Sequence, residues 1–339
     1  METFIRNIPK AELHLHIEGT FEPEQMFRIA ERNHIKIPYL TVDEIRDAYK
    51  FSNLQDFLNI YYASTNVLVQ EQDFYDLTWA YLKKMHEQHV VHTELFFDPQ
   101  SHTSRGVSFE TVISGIHHAL MDAEKEFGIT SKLIMSILRH LSESSAISSL
   151  NEALPFKDWI TGIGLDSSEE GHPPSKFRNV FLRARQEGFI CVAHAGEEGP
   201  PSYVREAIYH LGVTRIDHGN RSIEDMDLIN ELVDRQMPLT LCPLSNLKLQ
   251  VIKDLKDHPL KKMMNYGLLV TVNSDDPAYF GGYLNENLLS VAKALSLTKY
   301  DIYRLARNSF TSSLMEEELK LKHIQEVEDY YHQAIKELP

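Results

Sequence analysis

Two histidines at alternate positions, His14 and His16, are the first residues whose types and spacing could do chemistry. They lie near the end of a short apolar run, Ala11–Ile17, that is typical of a β-strand. Alternate residues of a strand point to the same side, so the two imidazoles would lie about 7 Å apart along the backbone and could bind one ion. Histidine pairs in strands are more often structural than metal-binding, so this motif needs support from elsewhere in the chain.

Polar side chains also follow three later apolar runs. They are His194 and Glu197 after the fifth run, His218 at the end of the sixth, and Asp275 and Asp276 after the eighth. Taken singly, each could be a hydrogen-bonded core histidine or an acidic cap on the following helix. Their common position, where a predicted strand ends, is the feature that links them to His14 and His16.

The elements that would position these residues are eight short, β-branched-rich runs separated mostly by helical patterns. The predicted strands are Ala11–Ile17, Val90–Phe97, Lys132–Leu138, Trp159–Leu165, Phe189–Ala195, Thr214–His218, Pro238–Cys242 and Leu268–Asn273. Strands that alternate with helices pair in parallel, and eight such units predict an α/β fold of the (β/α)8 TIM-barrel type. An open doubly wound sheet is the alternative. In the barrel, active sites form at the carboxyl ends of the strands, so all the polar strand ends would face one pocket.

We expect residues 1–339 to form a single barrel domain with a helical insertion at about 20–89. An insertion of that size after the first strand could be a lid over the pocket or extra packing around the open end of the barrel.

Four of the polar residues offer imidazole nitrogens and a carboxylate to one ion: His14, His16, His194 and Asp275. This ligand set suits Zn²⁺, with Fe²⁺ or Mn²⁺ as alternatives, and a bound metal can lower the pKa of water from 15.7 to about 7. Glu197, three residues after His194, could donate a proton to a substrate. His218 could accept a proton from the water, and Asp276 could contact the substrate.

Composition limits the classes of partner. The chain has 339 residues, of which 42% are hydrophobic and 24% are charged, and this composition excludes a disordered chain. Its net charge of −15 disfavours nucleic acid as a partner. No apolar run approaches about 20 residues, and the first residues lack a secretory signal, so we expect neither membrane insertion nor export. Cys191 and Cys242 lie in apolar runs, which suits reduced thiols in the cytoplasm. A small-molecule substrate and water are the expected partners, and a homo-oligomer is left open.

The motifs, taken in order, resemble the adenosine/adenine deaminase family of metal-dependent barrel hydrolases. The resemblance extends from His14 to the Asp275-Asp276 pair and is greatest to the adenine deaminase branch. Its segments are HLHIEG at 14–19, GLDSSE at 164–169 followed by GHPP at 171–174, HAGEEGPP at 194–201, CPLSN at 242–246 and NSDDPAYFGG at 273–282. No single motif is decisive, but five in the same order are improbable by chance.

The resemblance implies one zinc ion held by His14, His16, His194 and Asp275. It further implies that Glu197 protonates purine N1, that His218 lies beside the attacking water and that Asp276 binds N7. Adenine would then be hydrolysed to hypoxanthine and ammonia, a reaction of purine salvage, with adenosine as the alternative substrate.

Two glutamates bear on the choice between base and nucleoside. The nucleoside branch resembles His-x-His-x-Asp-Gly, with the aspartate directed toward the ribose, whereas this chain has Glu18 at that position. A free base carries an N9–H donor that needs an acceptor when buried. We therefore expect Glu18 or Glu169 to close the ribose space or to pair with the N9/N3 edge, the alternative being that both merely cap loops.

Other classes of protein fit the sequence less well. Metal-dependent esterases and cyclic-amide hydrolases on the same barrel often bridge two metals with a modified lysine after the fourth strand, and 160–166 contains no lysine. The two cysteines are too far apart for the C-x-x-C of the other zinc deaminases, and no P-loop motif occurs. A barrel that serves only as a binding scaffold would be expected to have lost a metal or acid residue.

Overall fold

The computed structural model describes residues 1–336 and contains one eight-stranded sheet in which neighbouring strands pair in parallel in sequence order. The strands are β1 Lys10–His16, β2 Val90–Phe97, β3 Thr130–Leu138, β4 Gly162–Asp166, β5 Ile190–Ala195, β6 Arg215–His218, β7 Pro238–Leu241 and β8 Leu269–Val272. This order is that of a (β/α)8 barrel, which confirms the predicted fold and rules out the doubly wound alternative.

The barrel closes between β8 and β1 just after β8 ends. A parallel bridge joins Leu15 to Asp275, and the Leu13 N–H donates to the Asn273 side-chain oxygen over 2.9 Å. The Ser274 N–H donates to Glu12 Oε1 over 2.7 Å. Closure therefore uses side chains of the same segment that carries Asp275.

Seven of the predicted strands agree with the structure to within two residues at each end, whereas β4 begins three residues later than expected. Trp159 precedes β4 in a turn, where its N–H donates to the Phe156 carbonyl over 2.9 Å. Its indole stacks on the His117 ring at 4.1 Å between centroids. Trp159 thus packs outside the barrel and is not part of the strand.

Helices cover the outside of the barrel. They are α1 Glu2–Asn7, α2 Pro23–Arg32, α3 Val42–Ala48, α4 Leu54–Ser64, α5 Glu71–Glu87, α6 Pro99–Thr103, α7 Phe109–Phe127, α8 Glu143–Ala153, α9 Arg178–Gln186, α10 Pro201–Glu206, α11 Met226–Asp234, α12 Pro243–Lys248, α13 Leu260–Asn265, α14 Pro277–Phe280, α15 Leu284–Ala294, α16 Lys299–Thr311 and α17 Glu317–Lys336. Inside the barrel, Phe96, Ile134 and Val192 form a small buried apolar cluster. Among residues 1–336, none of the helices is both long and apolar enough to cross a membrane.

The segment between β1 and β2, residues 17–89, contains α2 to α5, as the helical pattern predicts. Asn53 caps α4 by accepting the Asp56 N–H at 2.8 Å, which fixes where that helix begins. Side chains of α4, including Phe57 and Tyr61, line the opening at the carboxyl ends of the strands. The insertion therefore covers the mouth of the barrel.

Candidate active site

A cleft of about 390 Å³ opens at the carboxyl ends of the strands. Six of the seven residues singled out in the sequence line it: His16, His194, Glu197, His218, Asp275 and Asp276. The seventh, His14, is fully buried beneath them, with its ring centroid 4.6 Å from that of His194. The polar strand ends thus meet at one place, as the barrel fold predicts.

The predicted metal ligands have the spacing of a coordination shell. His16 Nε2 lies 3.1 Å from His194 Nε2 and 3.5 Å from Asp275 Oδ1. His14 Nε2 lies 3.3 Å from the same Asp275 oxygen and has no hydrogen-bond partner, although it is buried. Zinc ligands at 2.0–2.1 Å in a tetrahedron are about 3.4 Å from one another, so these three distances are those expected between ligands of one Zn²⁺.

His218 belongs to the same cluster. His14, His194, His218 and Asp275 each offer a ligand atom within 4.8 Å of the others, while His16 groups with Asp275 and Asp276 in the same way. The geometry thus allows His218 either to join a coordination shell or to stand beside it.

Two residues behind the cluster, Thr240 and Asp217, orient His14. The Thr240 hydroxyl donates to Asp217 over 2.9 Å and can then only accept the Nδ1–H of His14, at 2.8 Å. This arrangement leaves the Nε2 lone pair of His14 free for a metal, as an outer-shell partner should. On the other side of the cluster, Asp166 Oδ2 lies 3.4 Å from Nδ1 of His16.

The pKa shifts of His16 and His194 also suit metal binding, which requires neutral imidazole. Burial lowers the pKa of His16, and burial together with the neighbouring His14 lowers the pKa of His194 further. For Asp275, burial would raise the pKa, but the neighbouring histidines, first among them His14, lower it well below its usual range. The pKa shifts thus favour neutral imidazole at His16 and His194 and an ionised carboxylate at Asp275.

Glu197 and His218 form an acid and base pair beside the cluster. His218 Nε2 lies 3.5 Å from Glu197 Oε2 and 3.8 Å from Asp275 Oδ2. Burial, followed by the charge of Asp275, raises the pKa of Glu197 well above its usual range. Burial lowers the pKa of His218 to about 3. At neutral pH the carboxyl can therefore donate a proton and the imidazole can accept one.

Asp276 occupies a position that only glycine at residue 19 allows. A Cβ on Gly19 would lie 2.0 Å from Asp276 Oδ1 and 2.7 Å from its Cα. This oxygen is buried without a hydrogen-bond partner, and burial, followed by the charge of Asp275, raises the pKa of Asp276 well above its usual range. The neighbouring Asp275 has φ of +65°, a strained value for a residue with a side chain.

The sequence analysis missed several residues of the site. Asp98 and Asp166 line the cleft, as do Tyr61 and Tyr62 of α4. Asp98 directly follows β2 and Asp166 ends β4, so the strand-end argument applied to the other residues would have found both. Nothing local in the sequence distinguishes the two tyrosines from core residues, because their position depends on how the insertion folds over the barrel.

The expectation for Glu18 and Glu169 is not supported, since neither carboxylate lines the cleft. Glu18 Oε1 accepts the Asp98 N–H at 3.1 Å and lies 2.8 Å from His102 Nε2. Both oxygens of Glu169 accept main-chain N–H groups of the loop after β5. A carboxylate whose oxygens are already occupied within the protein is poorly placed to bind a purine edge.

Comparison with known proteins gives the same family along nearly the whole chain. The family model described as adenosine deaminase matches residues 9–330. An adenine deaminase of Acinetobacter baylyi is 60% identical over 323 residues, which are 95% of this chain and 97% of that protein. An adenine deaminase of a Marinomonas species is 58% identical over 330 residues, covering 96% and 98% of the two chains. The crystal structure of adenine deaminase from Arthrobacter aurescens superimposes with a TM-score of 0.94 at 49% identity, covering 96% of this chain and 99% of that one. The chain is therefore an enzyme that belongs to the adenosine deaminase family.

Proposed function

We propose that this enzyme hydrolyses adenine to hypoxanthine and ammonia with one bound zinc ion, in purine salvage. The observation that carries the proposal is the convergence of His14, His16, His194 and Asp275 at ligand spacing beside a buried Glu197. Three imidazoles and one carboxylate form a ligand set that suits Zn²⁺.

A zinc ion bound at this cluster would act as a Lewis acid that makes water nucleophilic at neutral pH. Glu197, buried and protonated, donates its proton to purine N1, which draws electrons away from C6. His218, with Nε2 between Glu197 and Asp275, accepts the proton of the water that adds to C6. His218 then passes that proton to the amino group, the C6–N bond breaks and ammonia leaves, while the proton of the new C6 hydroxyl returns to Glu197. Adenine and water thus become hypoxanthine and ammonia, and both side chains regain their starting protonation states.

Asp276 lies next to Asp275 on the wall of the cleft, and we assign to it the N7 side of the purine ring. Phe57, Leu58 and Phe280 supply an apolar lining that suits a flat heteroaromatic base. Tyr61 and Tyr62 of α4 also line the cleft and would help to exclude water from the bound base.

Adenine, and not adenosine, is the proposed substrate because the relatives with 58–60% identity over nearly the whole chain are adenine deaminases. The test is to incubate the zinc-loaded enzyme with adenine and with adenosine in parallel and to identify the products by chromatography. We expect hypoxanthine from adenine and at most a trace of inosine from adenosine. A preference for adenosine would overturn the assignment of substrate, and no deamination of either would overturn the proposed function.

A further inference from the structure

Glu169 holds the loop that carries the proposed proton donor. It lies three residues after the end of β4 and is 1% exposed. Its Oε1 accepts the Gly196 N–H at 2.7 Å. Its Oε2 accepts three further N–H groups, of Glu197 at 3.0 Å, Glu198 at 2.9 Å and Gly199 at 2.8 Å. Four consecutive main-chain donors therefore converge on one buried carboxylate.

This arrangement is an anion-binding concavity of successive N–H groups, and here the anion is a side chain of the protein itself. Hydrogen bonds to an ionised carboxylate are shorter and stronger than those between neutral groups, so the loop takes its shape around Glu169. The loop in turn needs glycine at residue 199, because a Cβ there would lie 2.5 Å from Glu169 Oε1.

The carbonyl side of the same segment is held by two arginines. Arg139 Nη1 donates to the His194 carbonyl over 2.7 Å, and the Arg221 N–H donates to the Gly196 carbonyl over 2.8 Å. The Arg221 guanidinium also donates to the Glu198 carbonyl. The main chain around Glu197 is thus held on its N–H side by the Glu169 carboxyl group and on its carbonyl side by the two arginines.

We propose that Glu169 is a positioning residue for the deamination reaction, which holds the Glu197 carboxyl in line with purine N1. The proposal rests on the proposed function, since it acts through Glu197. In this role Glu169 does not contact the substrate, which agrees with the absence of Glu169 from the lining of the cleft.

The first variant is Glu169→Gln, which keeps the size of the side chain but replaces one acceptor oxygen by an NH₂ group. That group would face N–H donors, so the loop must rearrange. A displacement of about 1 Å of a catalytic group costs on the order of 100-fold in rate. We therefore expect kcat for adenine to fall about 100-fold, with KM within about threefold of the wild type and zinc content unchanged. The matched control is Glu170→Gln, which changes the exposed neighbour and should leave both constants within about twofold.

A double-mutant cycle separates positioning from a general structural role. In the Glu197→Gln background the positioned group is already gone, so Glu169→Gln should lower kcat by less than about threefold. A purely structural defect would instead multiply the two losses and would raise KM or reduce zinc content. Gly199→Ala, whose Cβ would displace the Glu169 carboxylate from the other side, should reproduce the loss of kcat if Glu169→Gln folds poorly.

The outcomes for the two proposals are distinct. If the wild-type enzyme deaminates adenine and the Glu169→Gln and Gly199→Ala variants both keep full kcat, the positioning role alone is overturned. Multiplicative losses in the cycle would overturn it as well. An inactive zinc-loaded wild type would overturn the proposed function and the positioning role with it.

Discussion

Asp275 is joined to His14 twice. Its main-chain N–H donates to the His14 carbonyl over 3.1 Å, and its Oδ1 lies 3.3 Å from His14 Nε2. The first contact is part of the bridge that closes the barrel between β8 and β1. The spacing of the two proposed metal ligands is therefore set by the closure of the barrel and not by a flexible loop, which is the kind of rigid support that a metal site requires.

Removing the Thr240 hydroxyl should weaken zinc binding. In Thr240→Val, His14 Nδ1 loses its partner at 2.8 Å, and loss of an outer-shell partner typically costs 10–100-fold in metal affinity. We expect the zinc Kd, measured by competition with a chelator of known affinity, to rise by about that factor. The control is Thr93→Val, a buried strand threonine that hydrogen-bonds Tyr81, which should lower stability but leave zinc affinity unchanged. Equal zinc affinity of Thr240→Val and wild type would contradict the proposed orientation of His14.

Glu197→Gln should bind purine but turn it over slowly. The amide keeps the shape of the side chain but has no acidic proton to transfer to N1, and general acid catalysis is worth about 10²–10⁴-fold. We expect kcat to fall within that range while the dissociation constant of hypoxanthine, measured by calorimetry, changes less than about threefold. Glu152→Gln, on the exposed side of α8, is the control. A near-normal kcat would remove Glu197 from its proposed role.

Gly19→Ala should disable the site through Asp276. The new methyl group would lie 2.0 Å from Asp276 Oδ1 and 2.7 Å from its Cα, so the main chain of Asp276 must move. We expect kcat/KM for adenine to fall by about 100-fold. Gly128→Ala is the control for lost stability, since Gly128 ends α7 with φ of +72° far from the cleft and should lower Tm without lowering kcat. Full activity of Gly19→Ala would show that the cleft tolerates a displaced Asp276.

Because Lys10 is buried, we expect the free energy of unfolding to depend on pH in a way that has no connection with catalysis. Its ammonium is buried, donates to the Ile5 and Ile8 carbonyls at 3.1 and 3.0 Å, and has its pKa lowered by burial to about 7. The unfolded chain keeps a lysine pKa near 10.4, so between about pH 7 and 10 the unfolded state binds more protons and the free energy of unfolding rises with pH. Below about pH 7 both states are protonated and this contribution to the slope vanishes.

The measurement is urea unfolding at pH 7.0 and 9.5 for wild type, Lys10→Met and Lys50→Met. The rise in free energy between the two pH values should be smaller in Lys10→Met than in wild type. Lys50, which is 74% exposed, should behave like wild type when replaced. Identical rises in all three proteins would show that Lys10 is not the group responsible.

Much of the fold and part of the site were predictable from the sequence because the signals are local. The alternation of apolar runs and helical patterns predicted eight strands, and residues such as His14 and His218 could be found because they lie near the carboxyl ends of those strands. The (β/α)8 topology then requires these ends to meet.

Other residues of the site could not be predicted because their roles depend on contacts between distant parts of the chain. Thr240 and Asp217 orient His14 only once β6 and β7 lie beside it, and Glu169 reaches a loop 27 residues away at its nearest contact. The sequence left Glu169 between a purine edge and a loop cap, and its contacts with the main chain after β5 are those of the loop cap.

Zinc titration of the metal-free enzyme is the decisive test of the proposal that one zinc ion per chain supports the hydrolysis of adenine. The enzyme is stripped with a chelator, increasing zinc is added, and the loss of adenine is followed by its ultraviolet absorbance. We expect no turnover without metal, a linear rise in activity and a plateau at one zinc per chain. The proposed zinc-dependent hydrolysis of adenine would be contradicted by full activity without metal, by a plateau only at two zinc ions per chain, or by no activity on adenine at any zinc concentration.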